Sequence, residues 1–306
     1  MPSTPAASTP SAQPLRIATI NVNGVRAAYR KGMGEWLAGR DVDILAIQEV
    51  RASTEDLEGL LGPEWSILHD AATAKGRAGV ALASRSTASI HRVELGAEDF
   101  DSAGRWLEAE YEVNGTIVTV VSTYVHSGET DTPKQVEKYK FLDAMLARLP
   151  ELAAHSERAV VLGDLNVGHR TLDIKNWRGN RKHAGFLPEE RAYFDRILGA
   201  EDEPGYNAGA GLGWVDVGRK WAGEVEGPYT WWSQRGQAFD TGAGWRIDYH
   251  VATPGAKKNG LATVDPKRLQ AQIDTVAQAF DLKKVPSIDD IYTGEFLPPL
   301  SARKVP

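Results

Sequence analysis

The chain contains no cysteine. That absence removes disulfides, a thiolate nucleophile and every cysteine zinc site, and it fits a reducing cytoplasm. Any metal must then sit on oxygen or imidazole. Long apolar runs are missing as well. No stretch approaches the length of a membrane span, and the opening MPSTPAASTPSAQP lacks both the basic and the apolar segments of a secretory signal. Residues 1–14 read instead as a flexible tail rich in Pro, Ser, Thr and Ala. Excess positive charge is the third absence: 35 Lys and Arg stand against 41 Asp and Glu, a net charge of −6. Such a balance argues against indiscriminate binding to nucleic acid, because phosphate contacts need cations.

What is present is a 306-residue chain of ordinary globular composition, enough for one large domain or two small ones. There is no internal repeat. One basic run departs from the acidic average. HRTLDIKNWRGNRKH carries Arg170, Lys175, Arg178, Arg181 and Lys182 against a single acid, Asp173. By charge alone it is either a phosphate-binding patch or a solvated loop.

Strands and helices alternate through the first half. LRIATINVNG predicts a strand closing on Asn-Gly, GMGEWLAGR a short helix, and DVDILAIQEV an apolar strand ending in Gln48 and Glu49. AGVALASR and WLEAEYEVNGTIVTVVSTYV predict further strands, the latter a hairpin turning at Asn114-Gly115. An amphipathic helix follows. Thr132 is its expected cap, Pro133 suits its first turn, and Val136, Tyr139, Leu142, Met145, Leu146 and Leu149 share one face. RAVVLGDLN reads as a buried strand, LPEERAYFDRIL as a helix, and YTWWSQ and WRIDYHVAT as late strands. Strands apolar on both faces need cover on both sides, so layered sheets with helices outside are expected.

Three of these strands end in polar groups: Asn21, the pair Gln48-Glu49, and Asp164 with Asn166. Strand ends are where ligands bind in α/β proteins. A carboxylate there is costly unless it is paired or holds a cation, so several converging on one mouth suggest a hard-metal site with Glu49 as ligand. Asp164 and Asn166, at i and i+2, would share a face of an extended segment, one orienting a water and the other donating to a phosphate oxygen. Singly, a turn or a cap is the commoner role of Asp and Asn at a strand end.

Together, INVNGVRA, LAIQEV, GDLNVG, LDIKNWRGNRKHAGFLPEER and GWRIDY resemble, in order, the motifs of the exonuclease III family of apurinic/apyrimidinic endonucleases, over residues 15–255. The resemblance implies an α/β four-layer sandwich, two mixed β-sheets flanked by helices, with one catalytic domain over residues 15–258. It also implies Mg2+-dependent phosphodiester hydrolysis, with Mn2+ as a substitute, on double-stranded DNA bearing abasic sites or 3′ ends. A cytoplasmic monomer is expected, in a bacterium at the nucleoid. Matching positions give Glu49, Asn21 and, more weakly, Asn23 as metal-site residues. Asp164 matches the carboxylate that positions the attacking water, Asn166 the amide on the phosphate, Tyr124 the tyrosine near the scissile phosphate, and Asp248 the aspartate that orients a histidine. Asn176, Arg178, Arg181 and Lys182 would meet the DNA backbone. Trp231 would line the sugar pocket, its alternative being a core tryptophan.

The chain departs from the family at its carboxyl end. The family closes on a strand carrying Ser-Asp-His, whereas here no histidine follows His250, and residues 259–306 form a divergent tail. A sheet edge should then be exposed unless that tail covers it. His250 is a speculative substitute, two residues beyond Asp248 and about 6–7 Å along the strand. His126, near Tyr124, is another, and His69, His91 and His155 are expected on the surface. A DNA-binding remnant with impaired catalysis is accordingly the alternative, and a phosphodiesterase acting on a non-DNA ester a third.

Overall fold

The computed structural model describes residues 15–74, 76–97, 99–101, 103–113, 115–199, 211–234 and 236–255. Both predicted tails therefore lie outside the described residues. The first sheet comprises β1 (Ile17–Asn21), β2 (Ile44–Gln48), β3 (Ser66–Asp70) and β4 (Val80–Ser84), in the order β1-β2-β4-β3. Between its strands lie α1 (Val25–Arg30), α2 (Met33–Ala38) and α3 (Thr54–Leu61). The second sheet has six strands, β5 (Ile90–Arg92), β6 (Trp106–Val113), β7 (Thr116–Tyr124), β8 (Ala159–Asp164), β9 (Val215–Asp216) and a later β12 (Asp248–Ala252), in the order β5-β6-β7-β8-β12-β9. Helices α4 (Pro133–His155), α5 (Trp177–Asn180), α6 (Pro188–Leu198) and α7 (Val217–Ala222) complete the fold, with a small ribbon of β10 (Trp231–Trp232) and β11 (Gly244–Trp245). β1 and β2 are parallel, as are β7 and β8, and the other pairs are antiparallel, so both sheets are mixed.

Alternation along the strands builds the layers. On β2, Ile44 and Ala46 join Val80, Leu82, Leu107, Val120, Val160 and Leu162 in a core between the sheets. Their neighbours Leu45 and Ile47 point the other way, onto Val25, Met33, Leu37 and Leu57 of the first three helices. On β8, Val161 likewise turns outward, to Phe141, Leu142, Met145 and Phe194 of α4 and α6. Each sheet is thus buried on both faces, which explains why its strands read as continuous apolar runs. The expected four-layer architecture is observed.

Two local expectations change. Thr132 stands at the start of α4, but its hydroxyl donates to Glu129 O at 2.8 Å instead of capping the helix. Val136 is 54% exposed, while Gln135 and Lys138 are buried in its place. The first turn of α4 overhangs polar loops beyond the sheet, so its inward face is polar there. The β6–β7 hairpin closes on Gly115 at φ 73, and Asn114 lies outside the described residues. Among the described residues β1 is an edge strand, half-buried along its whole length.

The predicted basic loop is held from below by buried charge. Asp173, fully buried, accepts from the Arg246 Nε at 2.7 Å, from the Arg219 guanidinium and from the Arg170 backbone N–H. Arg246 also reaches Asp216 at 2.6 Å, tying the loop to β9. Burial alone would raise the Asp173 carboxyl, but Arg246 and Arg219 outweigh it and hold the group down at about 2. Its folded value lies below the unfolded one, so it contributes stability that is present above pH about 4 and lost as the pH falls toward 2. Asp173→Asn, which leaves two buried guanidinium groups short of a counter-charge, should cost about 3–5 kcal/mol in urea unfolding at pH 7. The gap between variant and parent should narrow between pH 4 and pH 2. A gap independent of pH would refute this account.

Candidate active site

β1 and β8 belong to different sheets, yet their carboxyl ends meet. One side-chain amide joins them: Asn21 Nδ2 donates to Glu49 Oε1 and to Asp164 Oδ2, each at 2.9 Å. Asn21 Oδ1 in turn accepts the Asn23 backbone N–H at 2.9 Å. Glu49 and Asp164 are only 7% and 6% exposed, so two carboxylates from separate sheets sit buried against a single neutral donor. The second oxygen of Glu49 is taken by the Arg51 guanidinium.

The partner of Asp164 on the next strand is another acid. Asp248 lies opposite Asp164 in the β12–β8 register. Burial, and then the Asp248 charge, hold the Asp164 carboxyl well above the usual carboxylate range. Burial likewise lifts Asp248, to about 6, against the opposing pull of Thr230 and Arg246. Thr230 Oγ1 accepts the backbone N–H groups of Ile247 and Asp248, both at 3.1 Å, which fixes this end of β12.

Asn166 reaches the same mouth by a turn. The strand stops at Asp164, and Asn166 has φ 51, so the extended geometry expected of i and i+2 does not apply. Its backbone N–H donates to Asp164 Oδ1 at 3.0 Å, and one side-chain N–H is spent on Val125 O at 2.9 Å. The turn brings the Asn166 backbone N–H onto Asp164 in place of an extended pair of side chains. Just before it, Gly163 lets β8 lie close against β7: a Cβ there would lie 1.9 Å from Thr123 O. Tyr124 sits at the end of β7, in register with Asp164. Burial and the neighbouring Glu49 push its phenol upward, so it is a neutral donor near pH 7.

Gln48 does not join the mouth. It is fully buried and links the sheets, donating to Ser122 Oγ at 3.0 Å and accepting from Thr19 Oγ1 at 3.1 Å. The substitute imidazoles are not at the mouth either. His250 pairs with Leu162, two register steps inward from Asp248, and burial holds it down at about 4. Antiparallel alternation directs it toward the inter-sheet core with Leu162. His126 packs edge-on against Phe100 and Phe141, with rings 5.8 and 5.6 Å apart, and is pushed down to about 3 by burial. His69 is half-buried, its Nδ1 3.1 Å from Thr54 Oγ1, which corrects its expected surface position. His91 and His155 are exposed as expected.

In the basic loop the cations divide. Arg170 and Lys175 pair with Glu224 and Glu226, acids distant in sequence and so invisible to the local charge count. Arg178 and Arg181 are exposed and stack on Trp177, at 4.5 and 4.6 Å, with Lys182 and Asn176 exposed beside them. Trp231 is 44% exposed and edge-on to Trp245. It is not a core tryptophan.

Sequence reasoning passed over Arg105. Its guanidinium lies 4.7 Å from the Tyr124 ring and donates to Tyr124 O at 3.0 Å. The only local signal was its glycine neighbour, Gly104, at φ 63, where a Cβ would meet Ala72 N at 2.4 Å. Among the described residues no three His, Asp or Glu side chains group closely enough to wrap a metal by themselves. The oxygen groups present, the Glu49 carboxylate and the Asn21 amide oxygen, are hard donors of the kind a cation that keeps most of its waters takes, and Glu49 would meet it by releasing the Arg51 guanidinium. The crowded charge of Asp164 and Asp248 favours such a cation nearby.

The chain and its fold have known relatives. The model of the endonuclease/exonuclease/phosphatase family matches residues 18–268. The chain belongs to that family. It is 32% identical over 246 residues to an exodeoxyribonuclease of Bacillus subtilis, covering 80% of this chain and 90% of the relative. It is 30% identical over 250 residues to the DNA repair nuclease APEX1 of Danio rerio, covering 78% and 72%. Among solved structures, an AP endonuclease from Archaeoglobus fulgidus superposes with a TM-score of 0.65 at 29% identity, covering 78% of this chain and 87% of that one. The resemblance read from the motifs is thereby borne out, as is membership among phosphodiester hydrolases.

Because Trp231 is exposed, Trp231→Ala should leave stability within about 0.5 kcal/mol of the parent. Trp214→Ala, at a fully buried position, should cost about 3–5 kcal/mol. Equal losses in chemical denaturation would restore a core role for Trp231.

Proposed function

We propose that the protein is a Mg2+-dependent DNA-repair nuclease of the exodeoxyribonuclease III type, cutting duplex DNA at abasic sites and trimming 3′ ends as a cytoplasmic monomer. One observation carries this reading: buried carboxylates and neutral amides from both sheets share one mouth, bridged by Asn21. The exposed cations Arg178, Arg181 and Lys182, with Asn176 and Trp231, support a phosphate-bearing polymer as substrate. The relatives' names, an exodeoxyribonuclease, a DNA repair nuclease and an AP endonuclease, support the same substrate class.

A water held by Asp164 attacks phosphorus in line and passes its proton to that carboxylate. Asn166 has one side-chain N–H committed to Val125 O and a second to donate to a non-bridging phosphate oxygen. Being neutral, it adds no repulsion to an anionic substrate. The Tyr124 phenol supplies another neutral donor, and the Asp248 charge raises the proton affinity of Asp164, which suits it to take the proton. Glu49 with Asn21, and Asn23 more weakly, would hold the Mg2+ or Mn2+, which supplies electrostatic stabilisation of the phosphoryl oxygens and the leaving 3′ oxygen.

A second reading, a DNA-binding remnant with slow turnover, has its own observation. Among the described residues no imidazole faces Asp164, since His250 is recessed and His126 packs among phenylalanines.

A duplex with one abasic site separates the two. Metal-dependent nicking that falls about 10²–10⁴-fold in Asp164→Ala, the usual span for a catalytic acid-base group, is the expected result. His250→Ala should leave the rate unchanged. Tight binding without nicking, weakening steeply with salt, would favour the remnant, and neither binding nor nicking would overturn both readings.

A further inference from the structure

Beneath the mouth lies a lysine that the proposed chemistry does not use. Lys138, on the first turns of α4, has a side chain 0% exposed. Its ammonium has three donors, and each finds an acceptor on a different segment. Nζ is 2.6 Å from Glu190 Oε1 on α6, 2.8 Å from the Asn166 carbonyl after β8, and 3.3 Å from the Ser127 carbonyl after β7.

The acid is equally committed. Glu190 Oε1 also accepts Gln135 Nε2 at 2.9 Å, and Oε2 accepts the Leu187 N–H that opens α6. The loop after β7 closes directly onto this pair. Gly128 has φ 73, and a Cβ there would lie 2.4 Å from Gln135 Oε1 and 3.0 Å from Lys138 Cδ. The loops after β7 and β8 are thus both seated on one ammonium.

Stability is a poor explanation for such a pair. A buried ion pair is often replaced by apolar side chains of similar size at no cost. What an apolar side chain would not do is grip the carbonyl of Asn166, whose turn conformation, φ 51, sets where its side chain lies. We propose that Lys138, with Glu190, is a positioning residue: it pins the Asn166 peptide so that the free side-chain N–H of Asn166 is aimed at the phosphate. This rests on the nuclease reading of the site.

The test uses the double variant Lys138→Met/Glu190→Gln. It removes the charge without stranding a lone buried ion, and the introduced amide oxygen can still accept the Leu187 N–H. It should fold with an unchanged melting profile and bind the abasic duplex about as tightly as the parent. Its single-turnover nicking rate should fall about 10–100-fold, the scale of a misplaced catalytic group. Because Lys138 acts only through Asn166, the loss should vanish when Asn166 is already alanine: Asn166→Ala and the triple variant should cut at the same rate. An unchanged rate in the double variant, or losses that multiply in the triple, would overturn the proposal. A readout without turnover keeps it separate from the nuclease reading. In ¹H–¹⁵N spectra the Asn166 side-chain amide, assigned by its absence in Asn166→Ala, should shift and broaden in the double variant. If the parent nicks no DNA the nuclease reading falls, and an unperturbed amide would then sink the positioning role independently.

Discussion

The mouth depends on a single neutral amide placed between two buried acids. Glu49 directly follows a strand of one sheet and Asp164 ends a strand of the other, and each would be costly to bury alone. Asn21 donates to both. A lysine there would neutralise the pair outright, and a leucine would leave both acids stranded. The amide satisfies their lone pairs while leaving negative charge to attract a hard cation. The other groups of the mouth are arranged around that junction. Arg51 caps the free edge of Glu49, Asp248 crowds Asp164, and Arg105 braces the tyrosine between them.

Two buried ionic networks hold this junction in place, and they divide the labour. Asp173, Arg246, Asp216 and Arg219 stitch the basic loop to the far edge of the second sheet. Lys138 and Glu190 sit under the loops after β7 and β8. In each case charge is used where chain segments of irregular shape must be seated, since carbonyls and N–H groups there have no sheet or helix partner. Apolar packing does the rest between regular layers. His169 follows the same logic: it is buried, bonded to Asp195 at 2.8 Å, and serves packing beneath the loop.

Much of the fold was legible because burial on both faces leaves a plain mark, a run of apolar residues with no polar alternation. ILAIQ and AVVLGD carried it, and both are central strands. The candidate site was legible through its strand-end residues, since Asn21, Glu49, Asp164 and Asp248 interrupt such runs. Other features left no local mark. Val136 fits an apolar helical stripe, yet that turn of α4 covers polar loops. Arg170 and Lys175 look unpaired in a window of fifteen residues, yet Glu224 and Glu226 reach them from about fifty residues away. Asn166 follows a strand closely enough to look extended, and only its backbone shows the turn.

By itself, then, the sequence determined the layers, the strand ends and the residue types gathered at them, because burial and charge act on each residue where it stands. It also determined that no histidine follows His250. Tertiary structure alone decided which of those polar groups touch. The Asn21 bridge spans 143 residues to Asp164, and the Lys138 clamp spans 28 residues to Asn166 and further still to Glu190. Hydrogen bonds need partners within about 3 Å, and only the closing of the two sheets and the helix above them brings groups so distant in the chain that near.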